Sequence, residues 1–529
     1  MMPQGGIYHT TDLEMRQTYI KATADYVRSL GNKHHFHFMA GFEFNRTKRE
    51  TTPTERWGYL WDEKDKDIVE ATYTPQLGPA EAPQQEYLTN KNSAYFATID
   101  YTYRNKYRLD MGYRVDKTIS PLLYDKKITI PSWSISTAWN LHNEPFMQGI
   151  KEVVSYLRPK ISYGYKGVLP LSMLTNERHY YVIPYYSDIN QDQSEQGSTA
   201  EKTHEVNIGL EAALFSQRIS MEIDYYHRKS KDLLNNTLSN SMNRYSFQRT
   251  NIGKMKSSGL EMALHSVNIA TTNFRWESQL TLNTYHSEVT EMKADYSIPS
   301  LMRTGIALEG GPERGLYSVR FAGLDQNGLP TFYRKDNKII TDLYTFLGND
   351  AKETLKYEGP IAPKGFGGFS NSFRFKQWNA SFDITYRYGN VIRLNNAYME
   401  EGADIYAYDK SMSNRWVSPG DETNIPILSS MNWPNSSNAE RYELYNMSTE
   451  RVAKGDFIRL KQITIGYTFP KEWLKGKHIS QANLSLQATN LCLLYSDSKL
   501  HGIDPEYYTS GGVSMPTQRM YSLTLQLQL

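Results

Sequence analysis

Apolar and polar side chains alternate over many short stretches of the chain. In YRLDMGYRVD (107–116) the odd-numbered residues are Tyr, Leu, Met, Tyr and Val, whereas the even-numbered residues are Arg, Asp, Gly, Arg and Asp. The stretches HFHFMAGFEF (35–44), VNIGLEAAL (206–214) and ISMEIDYYH (219–227) repeat the alternation. A period of two residues is that of a β-strand, whose successive side chains point to opposite faces. The pattern therefore predicts strands with one apolar and one polar face.

The same criterion, applied to the whole chain, predicts about 15 strands and an all-β protein. The predicted strands lie near 17–30, 34–47, 92–104, 107–117, 132–142, 153–166, 203–214, 218–231, 256–266, 273–288, 370–376, 378–388, 456–468, 480–491 and 518–529. The last of these, MYSLTLQLQL, places a leucine or tyrosine at every second position and runs to the final residue.

The connections between the predicted strands mostly alternate between short and long. The short ones are 31–33, 105–106, 215–217 and 377. The long ones are 48–91, 167–202, 289–369, 389–455 and 492–517. Bacterial membrane barrels have tight turns at one rim and extended loops at the other, whereas a soluble sandwich has no reason to alternate loop lengths in this way. The sequence therefore predicts part of an antiparallel transmembrane β-barrel.

In such a barrel the apolar face of each strand contacts lipid and the opposite face is polar. The residues predicted to face lipid are Phe36, Phe38, Phe42, Leu109, Met111, Tyr113, Ile208, Leu210, Leu525 and Leu527. The segments 289–369 and 389–455 should then gather at the rim opposite Asn105, Ser216 and Gln377.

Composition supports this interpretation and excludes some others. Tyrosine supplies 40 of the aromatic residues, and its ring suits a boundary between apolar and aqueous surroundings. Lys plus Arg total 59 against 57 for Asp plus Glu, so the net charge of +2 gives no field that would attract nucleic acid. The single cysteine, Cys492, excludes an internal disulfide and a cysteine-rich zinc site. No apolar run is long enough for a membrane helix, and the first residues lack the pattern of a signal peptide.

Two motifs have a structural and a chemical interpretation. The first motif is the histidine triplet His34, His35 and His37. Of these, His35 and His37 share one strand face and could hold a metal, although a polar pair at the lumen or rim is favoured. The glycines of KGFGGF (364–369) could cradle a phosphate, but no Lys-Ser/Thr follows them, so they are expected to mark the transition from a loop to a strand. We expect no catalytic residue and no metal site.

The long connections contain acidic and aromatic groups. The acidic clusters at 62–67 and 400–404 could form a glycosidase pair, but solvated charge or a loop calcium ion is favoured, and no other cofactor is expected. Aromatic side chains of the connection 389–455 could stack on a ligand or a partner, with packing inside the loop as the favoured alternative. These aromatic candidates are Tyr406, Tyr408, Trp416 and Trp433.

Several blocks resemble the C-terminal part of SusC-type (SusC/RagA) TonB-dependent receptors. GDFIRLKQITIGYTFP (455–470), NLSLQATNLCLL (483–494) and HGIDPE (501–506) carry the resemblance at the end of the chain. Further blocks follow the family's order, namely DYYHRKSKDLL (224–234), NIGKMKSSGLEMAL (251–264), FAGLDQNGLPTFY (321–333), GPIAPKGFGGFSNSFRF (359–375) and RWVSPGDETNIP (415–426). One departure is Leu529, where the family more often ends in Phe.

The resemblance implies a 22-stranded barrel in the outer membrane of a Gram-negative bacterium. Family members also carry a plug domain, through which TonB acts, and this plug has no counterpart here. Residues 1–16 are expected to be part of an extracellular loop and residues 17–529 the C-terminal part of the barrel, with about seven strands upstream. The implied cargo is an oligosaccharide or an oligopeptide, and the implied partner is a SusD-like surface lipoprotein.

The alternative is a secreted all-β protein that binds or cleaves glycans, which would explain the tyrosines and the acidic loops. The two hypotheses differ in detergent dependence, because a chain with an outward apolar band needs detergent to stay monodisperse.

Overall fold

The computed structural model describes most of the chain. The described residues are 6–61, 68–69, 86–119, 127–169, 199–241, 244–292, 302, 307–341, 354–397, 410–428, 439–476, 478–509, 512–513 and 518–528.

Most of the described residues lie in strands. These are β1 Gly6–Leu30, β2 His34–Trp61, β3 Ile68–Val69, β4 Glu86–Tyr103, β5 Tyr107–Ile119, β6 Lys127–Trp139, β7 Val154–Val168, β8 Glu201–Leu214, β9 Ile219–Ser241, β10 Arg244–Ala270, β11 Phe274–Thr284, β12 His286–Met292, β13 Gly315–Ser318, β14 Phe321–Leu324, β15 Pro330–Tyr333, β16 Ile339–Ile340, β17 Lys356–Pro360, β18 Gly365–Phe375, β19 Trp378–Tyr388, β20 Val391–Arg393, β21 Val452–Lys454, β22 Phe457–Thr468, β23 Gln481–Ser496, β24 Tyr508–Thr509, β25 Gly512–Val513 and β26 Met520–Gln528.

Helices are short and lie between strands. Within the residues that the structure describes, the α-helices are α1 Ala439–Asn446 and α2 Lys471–Leu474. Short 3₁₀ helices occupy Leu141–Asn143, Pro145–Ile150, Lys410–Asn414, Thr449–Arg451 and Ser498–Leu500. Within the described ranges, no helix is long and apolar enough to cross a membrane.

Each predicted strand overlaps a strand of the structure, and the predicted strand 273–288 is divided into β11 and β12. The main differences are at the ends. β1 begins at Gly6 and β2 continues to Trp61, and the two remain paired from Leu30↔His34 to Gly6↔Tyr59. Most of the segment 1–16, predicted as a loop, is therefore strand. Its side chains form no sustained apolar face, so no alternating pattern marks this segment, although its backbone stays paired with β2.

Contacts divide the chain into two units. Unit 1 comprises 1–137, 163–204 and 239–251, and unit 2 comprises 138–162, 205–238 and 252–529. In unit 1, β1 pairs with β2, β2 with β4 and β4 with β5, all antiparallel. Tight turns at 31–33 and 104–106 join these strands, and Arg104 and Asn105 adopt positive φ in the second turn.

Unit 2 contains a second run of antiparallel pairs. β11 pairs with β10 and β18, β18 with β19, β19 with β22, β22 with β23, and β23 with β26. The connections hold smaller sheets, in which β13 pairs with β17, β14 with β15, β15 with β16, and β20 with β21.

The two long connections of unit 2, 293–364 and 389–456, share a hydrophobic core. We call this cluster the loop core, and its buried members are Met302, Val319, Phe332, Ile340, Ala397, Met412, Tyr442, Leu444, Tyr445 and Met447. The backbone also joins the two connections, because Val319 N donates to Met447 O at 3.1 Å. Residues more than a hundred positions apart thus form one packed body.

Both connections leave the sheet at the ends of β18 and β19 that lie away from the turn at Lys376 and Gln377. This confirms, within unit 2, the prediction that the segments gather at the rim opposite Gln377.

Glycines in the strands allow a ring from the neighbouring strand to lie across the backbone. A Cβ at Gly367 would lie 2.0 Å from Thr281 O and 2.6 Å from Tyr386 Oη. The Tyr386 hydroxyl crosses β18 at this point and donates to Thr281 O at 2.8 Å. In unit 1, a Cβ at Gly41 would lie 2.3 Å from the ring of Phe96. These positions need glycine because the ring occupies the space of a side chain.

Gly367→Ala is expected to lower the free energy of unfolding by about 2 kcal/mol, because the new methyl group must displace a backbone carbonyl and a ring. Gly368→Ala is the matched control, since its Cβ would meet Ile384 O at an ordinary 3.5 Å. The variants are unfolded with urea in detergent, and heat-modifiable gel mobility reports the folded fraction at each concentration. The urea midpoints of the two variants give the difference in stability. Equal midpoints for the two variants would contradict the packing argument.

Candidate functional site

The guanidinium of Arg393, at the end of β20, is buried inside the loop core. It donates to the backbone oxygens of Met302 (3.3 Å), Ser448 (2.8 Å) and Tyr317 (2.7 Å), and to Ser318 Oγ (2.9 Å). Burial lowers the pKa of Arg393 to about 10, so the group remains charged at neutral pH. Because its acceptors lie on both long connections, one side chain holds the two connections together.

A second arginine, Arg441 of α1, joins this helix to the hairpin of β14 and β15. Its Nε donates to Pro330 O at 2.9 Å, and its Nη2 donates to Asp325 Oδ2 at 2.8 Å. Burial opposes ionisation of Asp325, but the amide of Leu329 and the Arg441 guanidinium outweigh it and hold the pKa of this carboxyl below its usual value. These hydrogen bonds to Pro330 O and Asp325 hold the turn formed by DQNG (325–328) against α1.

Trp416, a candidate for ligand contact, is 9% exposed and packs inside the loop. Its N donates to Ile425 O at 2.9 Å. Gly328 lies under the indole with φ 72°, and a Cβ there would be 2.3 Å from the ring. In the structure, Trp416 therefore packs inside the loop. In the same turn, Val417 is 64% exposed, and its N donates to Asp421 Oδ2 at 2.8 Å.

Tyr442 of α1 lies in the loop core, and its hydroxyl donates to Ile427 O at 3.1 Å. Burial raises the pKa of Tyr442 to about 12. In the unfolded chain a tyrosine ionises near 10, so the folded state holds the proton more tightly between these values. The stability that this group contributes is present below about pH 10 and is lost as the pH rises towards 12.

We therefore expect the loop core to become sensitive to protease between pH 10 and about 12. In Tyr442→Phe this dependence should be weaker, because no hydroxyl remains to ionise at this position. Cleavage rates between 302 and 455 across this pH range measure the effect, and Tyr495→Phe, which removes an exposed hydroxyl, is the control. An equal pH response in Tyr442→Phe and wild type would contradict the assignment.

Arg459 of β22 anchors the segment that follows β23. Its guanidinium donates to both carboxylate oxygens of Asp504, with Oδ2 at 2.5 Å, and to a carboxylate oxygen of Glu506. Arg387 of β19 donates to Pro505 O at 3.2 Å in the same segment. The HGIDPE motif, singled out by the resemblance, is thus an anchor of the chain onto two strands.

Charged side chains form a chain of contacts across the polar face of unit 1. His37 Nε2 lies 3.1 Å from Asp25 Oδ1, and its Nδ1 lies 3.2 Å from Asp100 Oδ2. Arg108 lies 3.6 Å from Asp100 and donates to Asp110 at 2.6 Å. The contacts run from β1 to β5, and the charge of Arg108 is compensated by Asp100 and Asp110.

The other two histidines, His34 and His35, contact different side chains. His34 Nδ1 is 2.8 Å from Tyr101 Oη, and His35 Nδ1 is 2.9 Å from Ser29 Oγ. In the part of the chain that the structure describes, no group of three His, Cys, Asp or Glu residues could hold a metal ion. Gly365, from the KGFGGF motif, is the first residue of β18, which agrees with the loop-to-strand interpretation.

The residues predicted to face lipid differ in exposure. The exposed ones are Phe38, Met111, Tyr113, Ile208, Leu525 and Leu527, and the half-buried ones are Phe36, Phe42, Leu109 and Leu210. Cross-strand rings account for part of the burial, since Phe36 stacks on Tyr101 at 4.7 Å and Phe42 lies 5.1 Å from Tyr95. Their contact with lipid remains a prediction.

Three aromatic candidates, Tyr406, Tyr408 and Trp433, lie outside the described residues, as do the acidic clusters at 62–67 and 400–404. No sequence pattern marked Arg393, Arg441 or Arg459 as functional residues. Arg459 lies in the block GDFIRLKQITIGYTFP that carries the resemblance, but the acceptors of all three arginines include groups that lie far away along the chain.

Comparison with known proteins gives the family. Residues 4–491 match the family described as TonB dependent receptor-like, beta-barrel. The chain is 25% identical to TonB-dependent receptor P26 of Formosa agariphila over 524 residues, covering 92% of this chain and 49% of the relative. It is also 25% identical to TonB-dependent receptor SusC of Bacteroides thetaiotaomicron over 535 residues, covering 95% and 49%. The chain spans about half the length of the curated relatives it matches.

A solved structure of the RagAB peptide transporter has the same fold. The TM-score is 0.75 at 22% identity, and the match covers 99% of this chain and 57% of the other. These matches give no support to the alternative of a secreted glycan-active protein. The chain belongs to the TonB-dependent receptor β-barrel family, whose SusC/RagA-like members are outer-membrane proteins of Gram-negative bacteria.

Proposed function

We propose that this chain forms barrel wall and outer loops of a receptor that imports a nutrient across the outer membrane with energy supplied through TonB. The family match over residues 4–491 carries this proposal. Strands with one apolar face, including exposed Met111, Tyr113 and Leu525, suit a wall in contact with lipid.

The proposed partner is a SusD-like surface lipoprotein that contacts the two long connections of unit 2. Their shared loop core supports this, because it gives a partner a packed surface rather than loose chain. Tyr406, Tyr408 and Trp433 are proposed contacts, along with the exposed turn at Val417. A photoreactive residue at Tyr406 in cells should capture a surface lipoprotein, and exclusive capture of periplasmic proteins would contradict the proposal.

The proposed cargo is an oligosaccharide or an oligopeptide. The resemblance to SusC/RagA-type receptors implies both classes, and a solved structure with the same fold is that of a peptide transporter. We expect fluorescent oligosaccharide or oligopeptide pools to enter cells that carry the receptor and to be excluded when either the receptor or TonB is removed. A small dye that passes through porins is the control. Uptake that persists without TonB would overturn the proposal.

A further inference from the structure

Aromatic rings cluster at the tight-turn end of the sheet in unit 2. We call this set the rim cluster, and it consists of Trp378, Tyr467, Phe469 and Trp473. The ring centroids of Trp378 and Tyr467 are 4.8 Å apart, and those of Tyr467 and Phe469 are 5.3 Å apart. Trp473 of α2 adds a further ring, 6.2 Å from that of Phe469. Rings from β19, β22 and the turn before β23 thus form one continuous group.

The short helix α2 sets the outer end of the rim cluster. Phe469 N donates to Ala482 O at 2.9 Å, which ties the start of the turn to β23. Leu474 of α2 is buried, whereas the preceding residue, Trp473, is 59% exposed. Trp378 is 54% exposed. The buried leucine therefore holds α2 in place while two indole rings lie on the surface, and large exposed rings that lie together mark a contact surface.

Strand register places the rim cluster on the face that is predicted to contact lipid. One row of cross-strand neighbours runs through Phe375, Trp378, Tyr467, Leu484 and Leu525. Its last member is one of the exposed residues predicted to face lipid. The next row on this face, two residues farther from the turns, is Phe373, Ala380, Ile465, Leu486 and Leu523. At about 3.4 Å per residue, roughly 7 Å separates this apolar row from the aromatic one.

Lysines lie beyond the aromatic row, in the turns 376–377 and 469–480. The two turns are adjacent, since Thr468 N donates to Gln377 O at 2.9 Å. They contain four lysines and one glutamate, so their net charge is +3. In the described part of the chain, three of these lysines are exposed and take part in no ion pair, namely Lys376, Lys471 and Lys475. From the strands to the turns, the surface therefore changes from apolar to aromatic to cationic.

This order follows the cross-section of a bilayer, which passes from hydrocarbon through an interfacial region to the charged headgroups. Tyrosine and tryptophan are favoured in the interfacial region because their rings are apolar and carry one polar group. Lysine side chains reach the headgroups on flexible stems, and each one near an anionic surface strengthens the attraction. Tight turns lie at the periplasmic rim of bacterial barrels, so the lipid in question belongs to the periplasmic leaflet.

We propose that the rim cluster and the lysines of the two turns bind anionic phospholipid. The rings of Trp378 and Trp473 lie in the interfacial region, and the ammonium groups of the turns contact the phosphates. Because the turns carry a net charge of +3, the site favours a lipid with a net negative charge over a zwitterionic one. The inference rests on the outer-membrane location of the family and depends on neither the cargo nor TonB.

Photolabelling of the full chain in phosphatidylcholine vesicles tests this site. The vesicles contain a trace of phosphatidylglycerol or of phosphatidylcholine with a photoreactive group beside the headgroup, and peptide mapping measures the labelling of 467–480. We expect phosphatidylglycerol to label this segment at least about fivefold more than phosphatidylcholine does, because the lysines attract the anionic headgroup. The preference should decrease at high salt, since salt screens exposed charges.

Lys471→Gln combined with Lys475→Gln should remove most of this preference, while labelling by phosphatidylcholine stays the same. Lys364→Gln combined with Lys454→Gln is the matched control. It also removes two exposed lysines, but these lie near the opposite ends of β18 and β22. The control should therefore change the net charge of the chain equally and leave the preference intact.

Heat-modifiable gel mobility shows whether each variant is folded. Equal labelling by the two lipids in the wild type would overturn the proposal. A preference that survives in the Lys471→Gln, Lys475→Gln variant, or that the control loses equally, would also overturn it. If neither lipid labels the segment, the turns lie outside the bilayer, and a periplasmic protein becomes the better candidate for this surface. Uptake measurements decide the transport proposal separately.

Discussion

Arg393→Ala is expected to separate the two long connections of unit 2 and to lower their free energy of unfolding by roughly 4 kcal/mol. The change removes four hydrogen bonds and leaves the backbone oxygens of Met302, Tyr317 and Ser448 without this donor inside a packed core. Orphaned buried acceptors are more costly than the average hydrogen bond, which is why the effect should be large.

Hydrogen exchange at Val319 and Thr449 measures this opening, since their amide groups bridge the two connections. Arg415→Ala is the control, because the Arg415 guanidinium donates locally, to Met412 O at 3.1 Å. Arg393→Lys should retain part of the protection but not all of it, because an ammonium cannot reproduce the planar fork. Protection equal to that of wild type in Arg393→Ala would show that the loop core holds the connections without this side chain.

Arg459→Met is expected to release the segment 497–509 from β22, at a cost of about 3 kcal/mol. Methionine keeps much of the side-chain volume but leaves the carboxylates of Asp504 and Glu506 without their shared partner. Protease sensitivity of this segment in the folded protein is the measurement, with the exposed Arg374→Met as the control.

A double-mutant cycle sharpens this test. If the loss reflects uncompensated charge, Asp504→Asn combined with Arg459→Met should cost less than the two single changes added together. Strict additivity of the single changes would contradict the ion-pair explanation and point to lost packing against Phe457, whose ring lies 4.7 Å from the guanidinium.

The strands of the sheet could be predicted from sequence because apolar and polar side chains alternate along them and so lie on opposite faces. The signal fails where that difference disappears, as in the extension of β2 from Thr47 to Arg56, which is polar on both faces yet stays paired with β1. Strand length beyond the apolar face is therefore a property of pairing, which a single segment does not reveal.

The loop core could not be predicted in the same way. Its strands are two to five residues long, and Val319 meets Met447 across more than a hundred residues. Aromatic residues of these connections were natural candidates for contact, but Trp416 is used for packing over Gly328. The buried arginines that hold the connections together carry no periodic signal, and only the assembled structure identifies their acceptors.

The loop core also has a consequence for how tightly a partner can associate with these connections. Loose loops of this length would lose much conformational entropy on being ordered by a partner, and that loss would reduce affinity. Here the packing of Met302, Phe332 and Leu444 and the bonds of Arg393 have already imposed that order during folding. If the proposed partner docks on the described part of these connections, it meets a preformed surface, so changes at that surface should act on the dissociation rate more than on the association rate.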